Sequence, residues 1–434
     1  MTAGPAAVEV HGHCDSRFTR VRAEFERNFA ERGDVGAAVA VTIDGAPVVD
    51  LWAGWLDAAR TRPWPRDGIV CVWSIGKAVT AIATLRAVDQ GLIDLDRPVA
   101  DYWPEFAQAG KAAIPVHQLL SHRAGLIAAR RPLPPGANLT SWDTMASALA
   151  EQEPWWTPGS GHGYHANTYG FLAGEVVRRV TGRRFREYVA EEITGPLGID
   201  VFFGFGPELD ARTAEWLPPT PDPAEPPARP WLDRDPSTVE GLDLGRILAY
   251  RNPPPLPDGG GGPNARPFRA AEFPSTSGHS NARSIARLFG ALASGGAVDG
   301  VRVLEPPTIE RANTIEADGE DLVLGRPTRF GLGFQLTIPG VRPFGPNPRA
   351  FGHYGNGAVV GIADPEARIG FSYVCNHAGR SWRDPRNIAL TDALYASLQA
   401  RLTAEVRRLG TPTACGASSP LILSKSKETR GTLR

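Results

Sequence analysis

The apolar positions of the chain switch between a helical period and strand-like runs, and these switches set out its elements. From Asp15 to Arg32 the residues Phe18, Val21, Phe25 and Phe29 recur every three or four positions, with Asp15 or Ser16 as cap, and predict an amphipathic helix. Gly36 to Ile43 is an unbroken apolar run closed by the turn signal Asp44-Gly45, and Pro47 to Trp52 follows as its hairpin partner. Gly68 to Val72 reads as a strand that runs into a helix beginning near Ser74. That helix carries Val79, Ile82, Ala83, Leu85 and Val88, with no charge between Lys77 and Arg86. A helix apolar on most sides is expected to be buried, so this one is expected to be central.

From Asp94 to about Leu304 the pattern is mostly helix and loop. Helical segments are expected at Gln118–Ser121, Ser141–Gln152, around Tyr169 to Val180, at Phe185–Ile193, and at Asn281–Leu292. Residues 206–273 are crowded with proline and contain the run Gly259 to Gly262, and they read as a long loop that walls or covers a site. No Gly-Lys-Ser/Thr follows those glycines, so a phosphate cradle is not indicated. Another helix is expected at Pro307–Thr314. Strand signals return at Phe330–Ile338, Ala358–Ala363 and Ile369–Cys375, before a last helix striped by Leu390, Leu394, Leu398, Leu402 and Val406. Strands at both ends with helices between predict an α+β (α/β) chain. It has an antiparallel sheet flanked by the N- and C-terminal helices and a mostly helical inserted subdomain. One catalytic domain is expected over 1–410. Its α/β part covers about 15–73 and 310–410, its helical subdomain about 74–309, and 411–434 form a disordered tail.

Composition narrows the function classes. The 434 residues are 42% hydrophobic and 21% charged with a net charge of −1, which fits a soluble protein and gives no electrostatic case for nucleic acid. No apolar run approaches the roughly 18 residues needed to span a bilayer. The N-terminus lacks a basic and then apolar leader, and Cys14, Cys71, Cys375 and Cys415 are scattered, so a reducing cytoplasm is expected. His11-Gly12-His13-Cys14 and the pair His162, His165 have neither a helical i, i+4 spacing nor a carboxylate set. No metal and no cofactor are expected.

The candidate chemistry centres on Ser74-Ile75-Gly76-Lys77. A serine three residues before a lysine on a helix puts both side chains on one face, and the helix N-terminus supplies free N–H groups and positive potential. Lys77 can accept the serine proton if burial favours its neutral form. Tyr164, in Gly163-Tyr164-His165-Ala166-Asn167, opens another helix. His353-Tyr354-Gly355-Asn356-Gly357 precedes an apolar strand, and its glycines allow close backbone approach. His122, in Leu119-Leu120-Ser121-His122-Arg123, is read as a buried structural histidine bonded to backbone. Trp156 is a candidate for the substrate pocket.

These three segments, in this order, resemble the serine β-lactamase and penicillin-binding-protein superfamily, most closely its family VIII carboxylesterases. Ser74-x-x-Lys77 is similar to the first box, Tyr164 to the tyrosine of the second, and His353-Tyr354-Gly355 takes the place of Lys-Thr-Gly. The resemblance runs from about Val8 to Arg408. It implies that Ser74 is an acyl-forming nucleophile, with Lys77 and Tyr164 as a shared general base. The N–H groups of Ser74 and Asn356 become an oxyanion hole, and His353 orients substrate or tunes Tyr164. Two departures stand out: Ala166 occupies the place of the second-box asparagine, with Asn167 beside it, and His353 replaces a lysine. Both favour a short-chain carboxylic ester over a β-lactam. The alternatives are acyl transfer to a small acceptor, a weak β-lactamase or D-Ala-D-Ala peptidase, and a non-catalytic scaffold of the same fold.

Overall fold

The apolar runs assemble into one nine-stranded antiparallel sheet. Its strands in chain order are β1 (Val10–Cys14), β2 (Gly36–Ile43), β3 (Ala46–Gly54), β4 (Ala317–Glu320), β5 (Pro327–Phe330), β6 (Gln335–Leu336), β7 (Phe351–Tyr354), β8 (Val360–Asp364) and β9 (Ile369–Cys375). Across the sheet they lie in the order β1-β3-β2-β9-β8-β7-β6-β5-β4, so the two ends of the chain meet at β2 and β9. Val39 pairs with Tyr373 there, and His353 of β7 pairs with Gly361 of β8. This is a computed structural model, and it describes residues 8–220, 230–254 and 262–409, with the side chains of 230 and 401–409 left aside. The expected tail at 411–434 lies outside the described residues, as do Pro221, Pro223, Pro226, Pro227, Pro255 and Gly259 to Gly261.

The Ala282–Ala293 helix lies on one face of the sheet, against β2, β8 and β9. Glycines in the strands make that contact intimate: a Cβ at Gly370 would stand 2.2 Å from Ala286 O, and one at Gly361 2.8 Å from Ile285 Cγ2. Side chains alternate along β9, so Tyr373 points to the opposite face. Its hydroxyl donates to both oxygens of the buried Asp34, at 2.8 and 2.6 Å, and Arg386 Nη1 donates to Asp34 at 2.8 Å. Arg386 Nε also donates to Asp384 at 2.8 Å. This buried ion network pins the start of the Pro385–Leu409 helix, which packs against the Thr19–Glu31 helix.

The Ile75–Asp89 helix sits between the sheet and the helical layer, touching β7 on one side and the Thr168–Thr181 helix on the other. Every residue from Ile75 to Leu85 is buried. The helix follows directly on the Val70–Cys71 strand, which pairs with His279–Ser280 and, beyond it, Val201–Phe202 in a small sheet.

Several elements differ from the pattern-based reading, each for a physical reason. The 282–293 helix falls within the span read as the helical subdomain, yet its apolar stripe docks on the sheet, where glycines leave room for it. The Phe330–Ile338 run splits into β5 and β6 because Gly333, at φ +83°, turns the backbone between them. His11 to Cys14, read only for metal chemistry, is edge strand β1. Polar β4 was not anticipated, because an edge strand needs no apolar pattern. Inside the proline-rich stretch, Gly241–Arg251 is a helix that buries Gly245, Ile247 and Ala249.

Candidate active site

The turn from Cys71 into the Ile75 helix is sharp, and Trp73 takes the left-handed conformation at φ +51° to make it. That conformation is costly for a bulky residue and is typical of functional turns. It puts Ser74 at the N-cap of the helix and leaves it half-buried, facing a cavity of about 600 Å³. One helical turn on, Lys77 is 1% exposed, and its Nζ lies 3.1 Å from Ser74 Oγ. Burial alone pushes the Lys77 ammonium well below its usual value, because little solvent is left to stabilise the charge. The structure thus supplies a serine hydroxyl in contact with an amine biased toward its proton-accepting form.

Lys77 Nζ also donates to Ser275 O at 2.9 Å and stands 4.9 Å from the centre of the Tyr164 ring. The loop carrying Ser275 is wedged between two glycines of the motif segments. A Cβ at Gly76 would meet Pro274 O at 2.3 Å, and one at Gly170 would meet Ser275 N at 2.6 Å. Ser275 Oγ accepts from Gly170 N–H at 2.6 Å and donates to Asn167 O at 2.8 Å. It therefore caps the Thr168–Thr181 helix, whose own N-cap, Asn167, makes no side-chain capping bond. Ser275 belongs to none of the three motifs; the glycines at 76 and 170, which leave room for its loop, are the signal for it.

Tyr164 is buried, and its backbone N–H donates to Asp321 Oδ1 at 3.0 Å. The same oxygen accepts from Val323 N–H and Leu324 N–H, so the turn after β4 holds the tyrosine. Around its ring stand His122, Phe330, Trp382 and His353, with centroids 5.0 to 6.2 Å away. His122 is buried at φ +63°, and its Nδ1 accepts from His165 N–H at 3.1 Å, the backbone bond expected for it. Burial, followed by His165 and Lys77, holds His122 well below the usual imidazole range. His165 is pushed down to about 4, and both its ring nitrogens bond backbone, at Leu126 N–H and Gly163 O. His162 Nε2 bonds Thr328 Oγ1 at 2.8 Å. Among the described residues no group of three or more His, Cys, Asp or Glu is placed to hold a metal ion.

His353 lies below the cavity rather than on its wall. It is fully buried in β7, its Nδ1 bonds Tyr354 O at 2.7 Å, and its Nε2 has no hydrogen-bond partner among the described residues. Burial and then the Lys77 charge push it down to about 3, so it is a neutral neighbour of Tyr164. Tyr354 points the other way, into a separate cavity beside Arg383. Gly355 has a strict role: a Cβ there would stand 2.5 Å from Val72 O and 2.3 Å from Val359 Cγ2. Its absence lets the end of β7 close onto the Ser74 turn, which brings Asn356 to the cavity wall beside Ser74. Neither the Ser74 N–H nor the Asn356 N–H meets a backbone acceptor among the described residues.

Trp156 departs from expectation. It does not line the Ser74 cavity; it packs edge-on behind His165, at 6.0 Å. Trp73 and Trp382 supply the indole walls instead. Cys71 and Cys375 are buried thiols pushed up to about 12 by desolvation, so neither is a nucleophile near neutral pH.

The beta-lactamase family profile matches residues 25–395. Esterase/beta-lactamase LipL of Mycobacterium tuberculosis is 35% identical over 384 residues, covering 86% of this chain and 84% of that protein. Esterase EstB of Burkholderia gladioli is 26% identical over 408 residues, covering 87% and 95%. A family VIII carboxylesterase of known crystal structure superposes with a TM-score of 0.80 at 38% identity, over 90% of this chain and all of that one. With Ser74, Lys77, Tyr164 and the His353–Gly355 segment brought to one seam of this fold, the chain belongs to the beta-lactamase family, in its serine-hydrolase branch with carboxylesterases.

Proposed function

We propose that the protein is a serine carboxylesterase that cleaves small carboxylic esters through an acyl-enzyme on Ser74. The observation that carries this is the 3.1 Å contact of Ser74 Oγ with Lys77 Nζ, an amine held low by burial. Ser74 Oγ attacks the ester carbonyl carbon while its proton passes to the Lys77–Tyr164 pair. The negative oxygen of the tetrahedral intermediate is held by the N–H groups of Ser74 and Asn356. Collapse breaks the bond to the alcohol oxygen, which takes the proton back and leaves. Water then attacks the acyl-Ser74 carbonyl with the same base, releasing the carboxylic acid and restoring the serine. His353 acts beneath Tyr164 as a neutral support.

Ala166 and His353 offer a β-lactam neither an amide nor an ammonium, and this supports an ester substrate. The aromatic cavity beside Ser74 also favours a second reading, in which an alcohol replaces water as acceptor. Fluorophosphonate labelling and hydrolysis of p-nitrophenyl esters test the proposal. Wild type is expected to label at Ser74 and turn over, and Ser74→Ala to do neither. Turnover surviving in Ser74→Ala refutes the mechanism, and an unlabelled wild type supports a scaffold. Ester formation with added alcohol measures transfer against hydrolysis.

A further inference from the structure

We infer that the ester taken by this site is uncharged and has a bulky apolar body, and that Ala166 is the wall residue that admits it. This rests on the esterase reading above and adds to it the chemistry of the substrate.

The cavity of about 600 Å³ lies well within the size of drug-binding pockets and far exceeds what an acetyl group fills. Trp73, Leu139, Phe268, Phe273 and Trp382 supply large apolar side chains to its wall. Among the described lining residues none is Asp, Glu, Lys or His, and the one charged side chain is Arg251. Its guanidinium donates to the carbonyls of Leu232 and Arg234, away from Ser74. Two polar wall residues are already engaged with protein. Asn167 Nδ2 donates to Asn252 O at 3.0 Å, and Thr276 Oγ1 donates to Asn167 Oδ1 at 3.3 Å. Beyond the reacting groups, the wall's remaining polar side chains among the described residues are the Tyr250 hydroxyl and the Asn356 amide, and most of its surface is apolar.

A polar or charged substituent buried against such a wall loses its water and gains no partner, which is unfavourable. Cations are opposed further, since Arg326 stacks 4.6 Å and Arg342 5.8 Å from the Trp382 ring centre. An apolar substituent gains from every methylene it buries. Ala166 is 4% exposed on the same wall, two residues after Tyr164, where the related motif places an asparagine. Its methyl group keeps that wall apolar and keeps the volume open beside the base.

The test is kcat/KM for two series: p-nitrophenyl acyl esters from acetate to octanoate, and acetates of phenol and 1-naphthol. Each buried methylene is expected to raise kcat/KM about fourfold, giving roughly 250-fold over the four methylenes from acetate to hexanoate. Acetylthiocholine is expected to be a poorer substrate than a neutral thioacetate of the same size. Ala166→Asn is expected to lower the hexanoate-to-acetate ratio at least tenfold. If that variant does not fold, Leu139→Phe narrows the same cavity and is expected to lower the ratio too. Acetate turnover with no gain along either series, or a ratio unmoved in a folded variant, overturns the inference and leaves the esterase reading standing. No turnover of any ester, with no label on Ser74, overturns both.

Discussion

Removing one hydroxyl, in Ser275→Ala, is expected to damage both stability and catalysis, in amounts that separate its two tasks. Among the described residues Ser275 Oγ is the only side-chain cap at the N-terminus of the Thr168–Thr181 helix, and losing such a cap costs about 1 kcal/mol. Ser275 is fully buried, so the Gly170 N–H is left without a partner, which brings the expected loss to roughly 2–3 kcal/mol. The second task runs through the main chain: Ser275 O accepts from Lys77 Nζ, and the loop is held in place by that same hydroxyl. If the released loop shifts the lysine by about 1 Å, kcat falls roughly 10–100-fold while KM changes little. A carbonyl acceptor favours the ammonium over the amine. Its loss therefore lowers the Lys77 value further and moves the acid limb of kcat/KM to lower pH. Urea denaturation and a kcat/KM–pH profile on one ester measure both effects. A stability loss of the stated size with kcat and the acid limb unmoved refutes the positioning role and leaves Ser275 as a helix cap alone.

Three further outcomes follow from the geometry. Gly355→Ala forces a Cβ onto Val72 O and draws Asn356 back from Ser74. The expected loss in kcat is on the order of 10²–10³, that of one oxyanion donor, and an unchanged kcat removes Asn356 from the hole. Arg386→Met leaves Asp34 buried without its cation and is expected to cost about 3–5 kcal/mol in chemical denaturation; a cost below about 1 kcal/mol shows that Tyr373 alone satisfies the carboxylate. His165 and His279 are pushed down to about 4, His353 to about 3, and His122 is also depressed, all chiefly by burial. As pH falls below about 6.5 the unfolded chain takes protons that the fold refuses, so stability falls toward pH 4 with a slope approaching about 1.4 kcal/mol per pH unit for each histidine. A denaturation midpoint that stays flat from pH 7 to 4.5 contradicts this.

How far the site was legible depended on what kind of atom does each job. Ser74 and Lys77 announce themselves because side-chain chemistry and helical spacing are both visible in four letters. The helix behind them was legible because eight uncharged residues in a row leave it nowhere to go but the core. Nothing in the sequence separates a pocket tryptophan from a packing one at Trp156, whereas Trp382 reaches the wall from the far end of the sequence through β9 and the terminal helix. The 282–293 helix could not be assigned a layer from its stripe alone, since the complement of that stripe is a pair of glycines in β8 and β9.

The hardest part to read is the acceptor that holds Lys77, because a main-chain carbonyl has no residue signature. It comes from Ser275, 198 positions away, and its placement depends on a hydroxyl bonded to a third segment. This bears on how the family pattern should be used. Serine, lysine and tyrosine boxes certify that the reacting groups exist; the carbonyl that aims the lysine, whose burial biases it toward the amine, belongs to the 273–277 loop. In this chain a side chain at Gly76 would meet Pro274 O at 2.3 Å and one at Gly170 would meet Ser275 N at 2.6 Å, so either is expected to push that loop off the lysine.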